Sequence, residues 1–279
     1  MGVQLLGGHP IPKEIKYLFI DAGCLRQMVD VAATRYPPFS LSSLDFTKLV
    51  AGYRKTFYYD APPPPPSSET AVTHPKRLAD QDALFDELRS IRGLHVYEGD
   101  SRRRKKRVEQ KKVDVMIAVD MLTHAFRRNM HHATLLTADL DFKPLLDALV
   151  QDGMHVELWY PHGKPNKELV ASADSRRPLT FRDLLEWSTD TYRRDHPPPK
   201  RISKPGKDVA DWEIVDEWPT EIGTTAEVYR TPSPFTYTAV FPSMHNRDKD
   251  YYSYVSHRDR AYLRSYVHEC CREFWKTPI

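Results

Sequence analysis

The chain has 279 residues, room for one full domain with a smaller companion, and its 40% hydrophobic residues are enough to bury a sizeable core. Lys and Arg number 41 against 38 Asp and Glu, a net charge of +3, so bulk charge does not mark a nucleic-acid binder. Cys24, Cys270 and Cys271 give neither a disulfide framework nor a zinc-ligand spacing, and the longest apolar run, Val115 to Val119, is far too short to cross a membrane. The N-terminus lacks a basic start followed by an apolar stretch, and Leu6 stands where a myristoylation motif needs Ser or Thr. The expectation is a cytoplasmic protein with reduced thiols and no membrane partner.

Lys16 to Ile20 (KYLFI) reads as a first strand buried on both faces and ending at Asp21. A helix-like stretch follows from Cys24 to Ala33, then a Pro-containing loop, then helix over Asp45 to Ala51. Lys55 to Tyr59 reads as a second strand, ending at Asp60. Pro62 to Pro66 predicts an extended spacer. Apolar residues at helical spacing predict a helix over Lys76 to Ile91, closed near Gly93, with a third strand over Leu94 to Tyr97. Asp114 is expected at the start of a helix whose body, Val115 to Phe126, has few polar residues and should be largely buried.

Ala133 to Thr137 reads as the fourth strand, with Asp139 and Asp141 just beyond it. A helix over Phe142 to Gln151 stops at Gly153, and His155 to Tyr160 is the fifth strand. Short helices are expected at Leu169 to Ala173 and Phe181 to Trp187. Strands alternating with helices predict an α/β domain on a central parallel sheet, over residues 15–188. Residues 189–207, with Pro197, Pro198 and Pro199, read as a linker, and 208–279 as a small α+β module with a final helix from about Arg258 to Trp275.

A parallel sheet brings the carboxyl ends of its strands to one edge, where open α/β folds place ligands. Asp21, Asp60, Asp139 and Asp141 share that edge, and Asp114 can reach the same crevice. Several carboxylates crowded together repel one another unless a cation neutralises them. Oxygen-only ligands select hard ions, Mg²⁺ or Mn²⁺, which suit phosphodiester cleavage. Each aspartate taken singly is also an ordinary helix cap or turn residue, Asp141 and Asp114 in particular.

The segments IDAG (Ile20–Gly23), YYDA (Tyr58–Ala61), QKKVDVMIAVDML (Gln110–Leu122) and LLTADLDFKPLLDAL (Leu135–Leu149) with GMHVEL (Gly153–Leu158) occur in that order. Over about residues 15–185 the chain resembles an NYN domain of the LabA type, a branch of the PIN-like nucleases. The resemblance implies a three-layer α/β/α sandwich and an acidic Mg²⁺- or Mn²⁺-dependent site that hydrolyses RNA. Carried over by position, the catalytic and metal-binding carboxylates are Asp21, Asp114, Asp139 and Asp141, with Asp120 at the margin of the set. Cys24 stands where Asn is frequent, Lys112 where Gly is usual, and Thr137 and Ala138 where Ser and Gly are common. The Thr137 hydroxyl preserves the donor. Ala138 would be strained if its turn required positive φ.

Arg102, Arg103, Arg104, Lys105, Lys106 and Arg107, with Lys111 and Lys112, precede Asp114 and are the candidate RNA-binding residues, because Lys and Arg contacts to phosphate supply sequence-independent affinity. A solvated loop explains such a run equally well. Tyr58 and Tyr59 read as sheet core. Tyr251, Tyr252, Tyr254, Tyr262 and Tyr266, among Arg258, Arg260 and Arg264, suit either stacking on single-stranded RNA or the packing of a small module. The cysteines read as buried small hydrophobes, and His124, His131 and His132 lack metal spacing.

The leading expectation is therefore a metal-dependent endoribonuclease acting on single-stranded RNA. The alternative from another class is a catalytically inactive RNA-binding or scaffold protein on the same fold, meeting a protein partner or a second copy through its C-terminal module. A phosphatase using Asp139 and Asp141 as an Asp-x-Asp pair fails on position, since the pair lies on a late strand.

Overall fold

The structure is a computed structural model that describes residues 14–36, 38–61, 73–99, 107–163, 166–232, 235–244 and 250–274. The proline run at Pro62 to Pro66 and Arg102 to Lys106 of the basic run lie outside those residues. The chain divides into two compact units. Among the described residues, one takes in 14–25, Val50–Tyr160 and 166–177; the other takes in Arg26–Leu49, 161–163 and those from Pro178 onward.

The first unit is built on the six-stranded sheet ordered β3-β2-β1-β4-β5-β6, with β1 Lys16–Asp21, β2 Lys55–Asp60, β3 Leu94–Glu98, β4 His132–Leu136, β5 His155–Pro161 and β6 Ser175–Leu179. The pairings among the first five strands are parallel. Tyr17 to Ile20 and all of β4 are buried, which is why these runs are continuously apolar rather than alternating. The chain moves outward from β1 through β2 to β3, then returns to place β4 on the other side of β1. Strand order reverses there, and the crevice at the carboxyl ends of β1 and β4 is where such a sheet binds ligands.

The connecting helices are α1 Ala22–Arg35, α2 Phe46–Leu49, α3 Thr73–Ser90, α4 Arg107–Phe126, α5 Lys143–Gln151 and α6 Lys167–Ala171. Val113, Ile117, Met121 and Ala125 form one buried stripe of α4, at a spacing of four that keeps them on one face. They join Phe19, Tyr59, Leu135 and Leu146 in one core. Truncating a fully buried leucine such as Leu135 or Leu146 to Ala should cost about 2–5 kcal/mol.

Two expectations about α4 are corrected. The helix begins at Arg107, so Asp114 lies two turns inside it rather than at its start. Nor is it largely buried, for Val115, Val119 and Phe126 are 60%, 55% and 65% exposed. A helix lying on a sheet covers only the stripe it turns toward it, however apolar its other side.

The second unit carries α7 Phe181–Glu186, α8 Asp190–Asp195, α9 Arg260–Cys270 and an antiparallel sheet ordered β7-β11-β10-β9-β8. Its strands are β7 Lys200–Pro205, β8 Glu213–Pro219, β9 Thr225–Pro232, β10 Phe235–Pro242 and β11 Tyr251–His257. The stretch read as a linker thus carries α8 and edge strand β7, where Pro205 is tolerated because an edge needs no ladder donor on its open side. Inside this unit Glu269 accepts from Arg35, the Tyr36 hydroxyl and the Phe181 amide, and the Tyr36 ring stacks on Phe181. One carboxylate on α9 therefore joins the end of α1 to the start of α7. The final helix is shorter than expected, with a 3-10 turn, Arg272–Phe274, after it.

Candidate active site

Asp21 ends β1, and its Oδ1 accepts the backbone N–H groups of Gly23 at 2.9 Å and Cys24 at 3.3 Å in the first turn of α1. The free amides of a helix start favour an anion there. A Cβ at Gly23 would stand 3.1 Å from Asp21 Oδ1, so any larger residue there would displace the carboxylate by a few tenths of an ångström. Asp21 Oδ2 accepts the Thr137 hydroxyl at 3.0 Å, and Thr137 Oγ1 accepts the Asp139 amide at 3.2 Å. Thr137 is fully buried and ties the end of β1 to the turn after β4.

Asp139 caps the 3-10 turn Leu140–Phe142, its Oδ1 accepting the Asp141 amide at 2.9 Å. The capping reading is thus correct for Asp21 and Asp139, and the N-cap expected at Asp141 lies at Asp139. Capping leaves each of the two a second carboxylate oxygen outside the cap bond. Ala138 is not among the residues with positive φ, so the turn carries no strain on its account.

Asp114 faces this group from α4. Its carboxyl is pushed up to about 6, first by burial and then by the negative charges of Asp21, Asp139 and Asp141. Burial also raises Asp21, against the lowering by Thr137, Cys24 and Gly23, and Asp139 adds to the rise. Three separate elements, β1, α4 and the turn after β4, thus bring four carboxylates into one electrostatic group.

The donor set fits a hard divalent cation: it is all oxygen, and its members repel one another without a positive charge among them. Among the described residues no three His, Cys, Asp or Glu side chains stand close enough together, as placed, to hold a metal ion.

The other candidates have different surroundings. Asp120 accepts the Tyr59 hydroxyl at 2.8 Å, and its charge acts on Tyr97 and His124. Asp60 is buried and accepts the Gln81 side-chain amide at 3.0 Å. Arg107, Lys111 and Lys112 lie in the first turns of α4. Tyr58 and Tyr59 are buried sheet residues. Tyr254 and Tyr266 are buried too, which decides those two for packing rather than stacking.

Burial raises all three thiols, and Asp21 raises Cys24 further, so none is held as a thiolate. His131 Nδ1 accepts the Ile15 amide at 3.1 Å, His132 Nε2 lies 3.4 Å from Glu157, and His124 packs on Tyr17 and Phe57. Thr137 belongs to the site through its side chain although it is neither acidic nor basic. Its signal in the sequence was a hydroxyl immediately after a buried strand.

No match is found among curated proteins. Among solved structures the chain is similar to a protein of unknown function from Vibrio parahaemolyticus RIMD 2210633, at 16% identity and a TM-score of 0.46, over 65% of this chain and 100% of that one. The family model described as NYN domain matches residues 27–180. That span is more than half of the chain; it takes in Asp114, Asp139 and Asp141 and begins just after Asp21. NYN domains fall within the PIN-like nuclease superfamily, whose members generally use divalent metals. Its parallel sheet, the carboxylates at the switch point and this match together place the chain in the NYN family.

Proposed function

We propose that the chain is a metal-dependent endoribonuclease that hydrolyses phosphodiester bonds of single-stranded RNA. The observation that carries this reading is the convergence on Asp114 of charge from Asp21, Asp139 and Asp141. Asp21, Asp114, Asp139 and Asp141 would hold Mg²⁺ or Mn²⁺. A bound ion of this kind lowers the pKa of water and stabilises charge on phosphate oxygens. The chain's own residues then have defined tasks. Thr137 and the amides of Gly23 and Cys24 orient Asp21. The Asp141 amide orients Asp139. Arg102 to Arg107, Lys111 and Lys112 would draw the phosphate backbone toward the sheet edge.

A second reading, RNA binding without turnover, is favoured by one observation: among the described residues no three acidic, His or Cys side chains stand close enough to hold a metal ion. One experiment separates the two. Purified protein is incubated with labelled single-stranded RNA and Mn²⁺ or Mg²⁺, beside EDTA and the variant Asp139→Asn. Cleavage that is lost in both controls is the expected result. Cleavage surviving Asp139→Asn would remove these carboxylates from the mechanism, and salt-dependent binding without cleavage would select the second reading.

A further inference from the structure

The row of the sheet that holds Asp21 continues sideways into aromatic rings. Asp21 is in register with Tyr59 on β2, and Tyr59 with Tyr97 on β3. Residues in register across parallel strands project to the same face. The Tyr59 and Tyr97 rings stack with centroids 5.1 Å and planes 18° apart. Two residues earlier, Phe57 and His95 are also in register, and their rings stack at 5.3 Å and 21°. The inner ring of each pair is buried, while Tyr97 is half-buried and His95 exposed. Because β3 is the edge strand, each stack runs outward from the core to the margin of the sheet.

Distances and charge suit one kind of occupant. Two strand spacings put the Tyr97 position about 10 Å from that of Asp21, near enough for nucleotides beside the scissile phosphate. The two rungs lie about 6.6 Å apart along β3, twice the roughly 3.4 Å that separates stacked bases. That interval fits bases splayed from a single strand and not the interior of a duplex. Asp120 fixes the inner ring by accepting the Tyr59 hydroxyl. Burial and the neighbouring Lys55 charge lower the pKa of His95, which disfavours the charged form of the ring. In sequence, β3 leads within a few residues to the basic run Arg102 to Arg107.

We propose that Tyr97 and His95 form a stacking edge for two successive bases of a single-stranded RNA whose scissile phosphate lies at the carboxylates. This deepens the nuclease reading and rests on it. Aromatic rings followed by cations are the means by which single strands are held without sequence preference.

The test uses the full chain and a fluorescein-labelled 12-nucleotide single-stranded RNA. Anisotropy in EDTA measures binding apart from cleavage, and a parallel series with Mn²⁺ measures kcat and KM. Tyr97→Leu keeps apolar packing on Tyr59 but removes the ring, and should weaken binding about tenfold and raise KM with little change in kcat. Tyr97→Phe should bind like the unaltered chain. His95→Leu, at an exposed position where folding is not at risk, should also weaken binding, by about fivefold. Affinity unchanged in both Tyr97→Leu and His95→Leu overturns the proposal, as does failure of the unaltered chain to bind the RNA. Weakened binding in the leucine variants, with no cleavage by the unaltered chain in any metal, would keep the stacking edge and sink the nuclease reading alone.

Discussion

Thr137 donates its hydroxyl to Asp21 across the switch point of the sheet, at 3.0 Å, from the turn that also positions Asp139. One buried hydroxyl thereby sets the relation between carboxylates that lie 118 residues apart in the chain. Thr137→Val preserves shape and removes both bonds. Loss of a hydrogen bond to a charged group should cost about 1–3 kcal/mol of stability, and RNA cleavage should fall at least tenfold. Thr137→Ser should retain most activity. Thermal unfolding and cleavage rates of the two variants check this, and equal rates for Val and Ser would remove Thr137 from the site.

Gly23→Ala sets two effects against each other. Alanine in a helix is favoured over glycine by about 1 kcal/mol. The new Cβ, however, stands 3.1 Å from Asp21 Oδ1, so the carboxylate must shift by a few tenths of an ångström. The expected outcome is a melting temperature close to that of the unaltered chain with clearly reduced cleavage. Unchanged kcat would show that the site tolerates this displacement.

Asp139 and Asp120 should separate under added Mn²⁺. An ion that binds only the folded chain raises its melting temperature. That rise should vanish in Asp139→Asn. In Asp120→Ala it should persist on a lower baseline, because the buried Tyr59 hydroxyl loses its acceptor at a cost of about 1–3 kcal/mol. Loss of the Mn²⁺ effect in Asp120→Ala would bring that carboxylate into the metal site after all.

The second unit should show an acid limb of its own. Asp216 accepts from Arg260 and from the indole of buried Trp218, and these bonds, Arg260's first, hold its carboxyl down to about 2. A lowered acid pKa stabilises the fold above the unfolded value near 4 and is lost as pH falls toward 2. Unfolding followed by tryptophan fluorescence should therefore be more acid-sensitive over this window in the unaltered chain than in Asp216→Asn. Parallel pH profiles would show that solvent screens the pair completely.

Read along the chain, buried runs such as KYLFI and ATLLT could be recognised because strands covered on both faces must be apolar throughout, and alternation with helices required a parallel sheet. Asp21, Asp139 and Asp141 followed from the same logic, since strand ends share an edge. β6, whose sequence is SRRPL, was not legible, for a half-exposed edge strand carries no hydrophobic period. Nor were α8 and β7, whose prolines and charges look like a linker and are settled only by pairing with β11 and packing within the second unit.

By itself, then, the sequence determined the strand and helix alternation, the family and the candidate carboxylates, because these depend on local pattern and motif. Only the tertiary structure decided which acids share one field, that Asp120 accepts from Tyr59, that Asp114 lies inside a helix and that Tyr97 shares a row with Asp21 through Tyr59. Those relations depend on strand order and register, which join residues far apart in the chain through contacts that no local window contains.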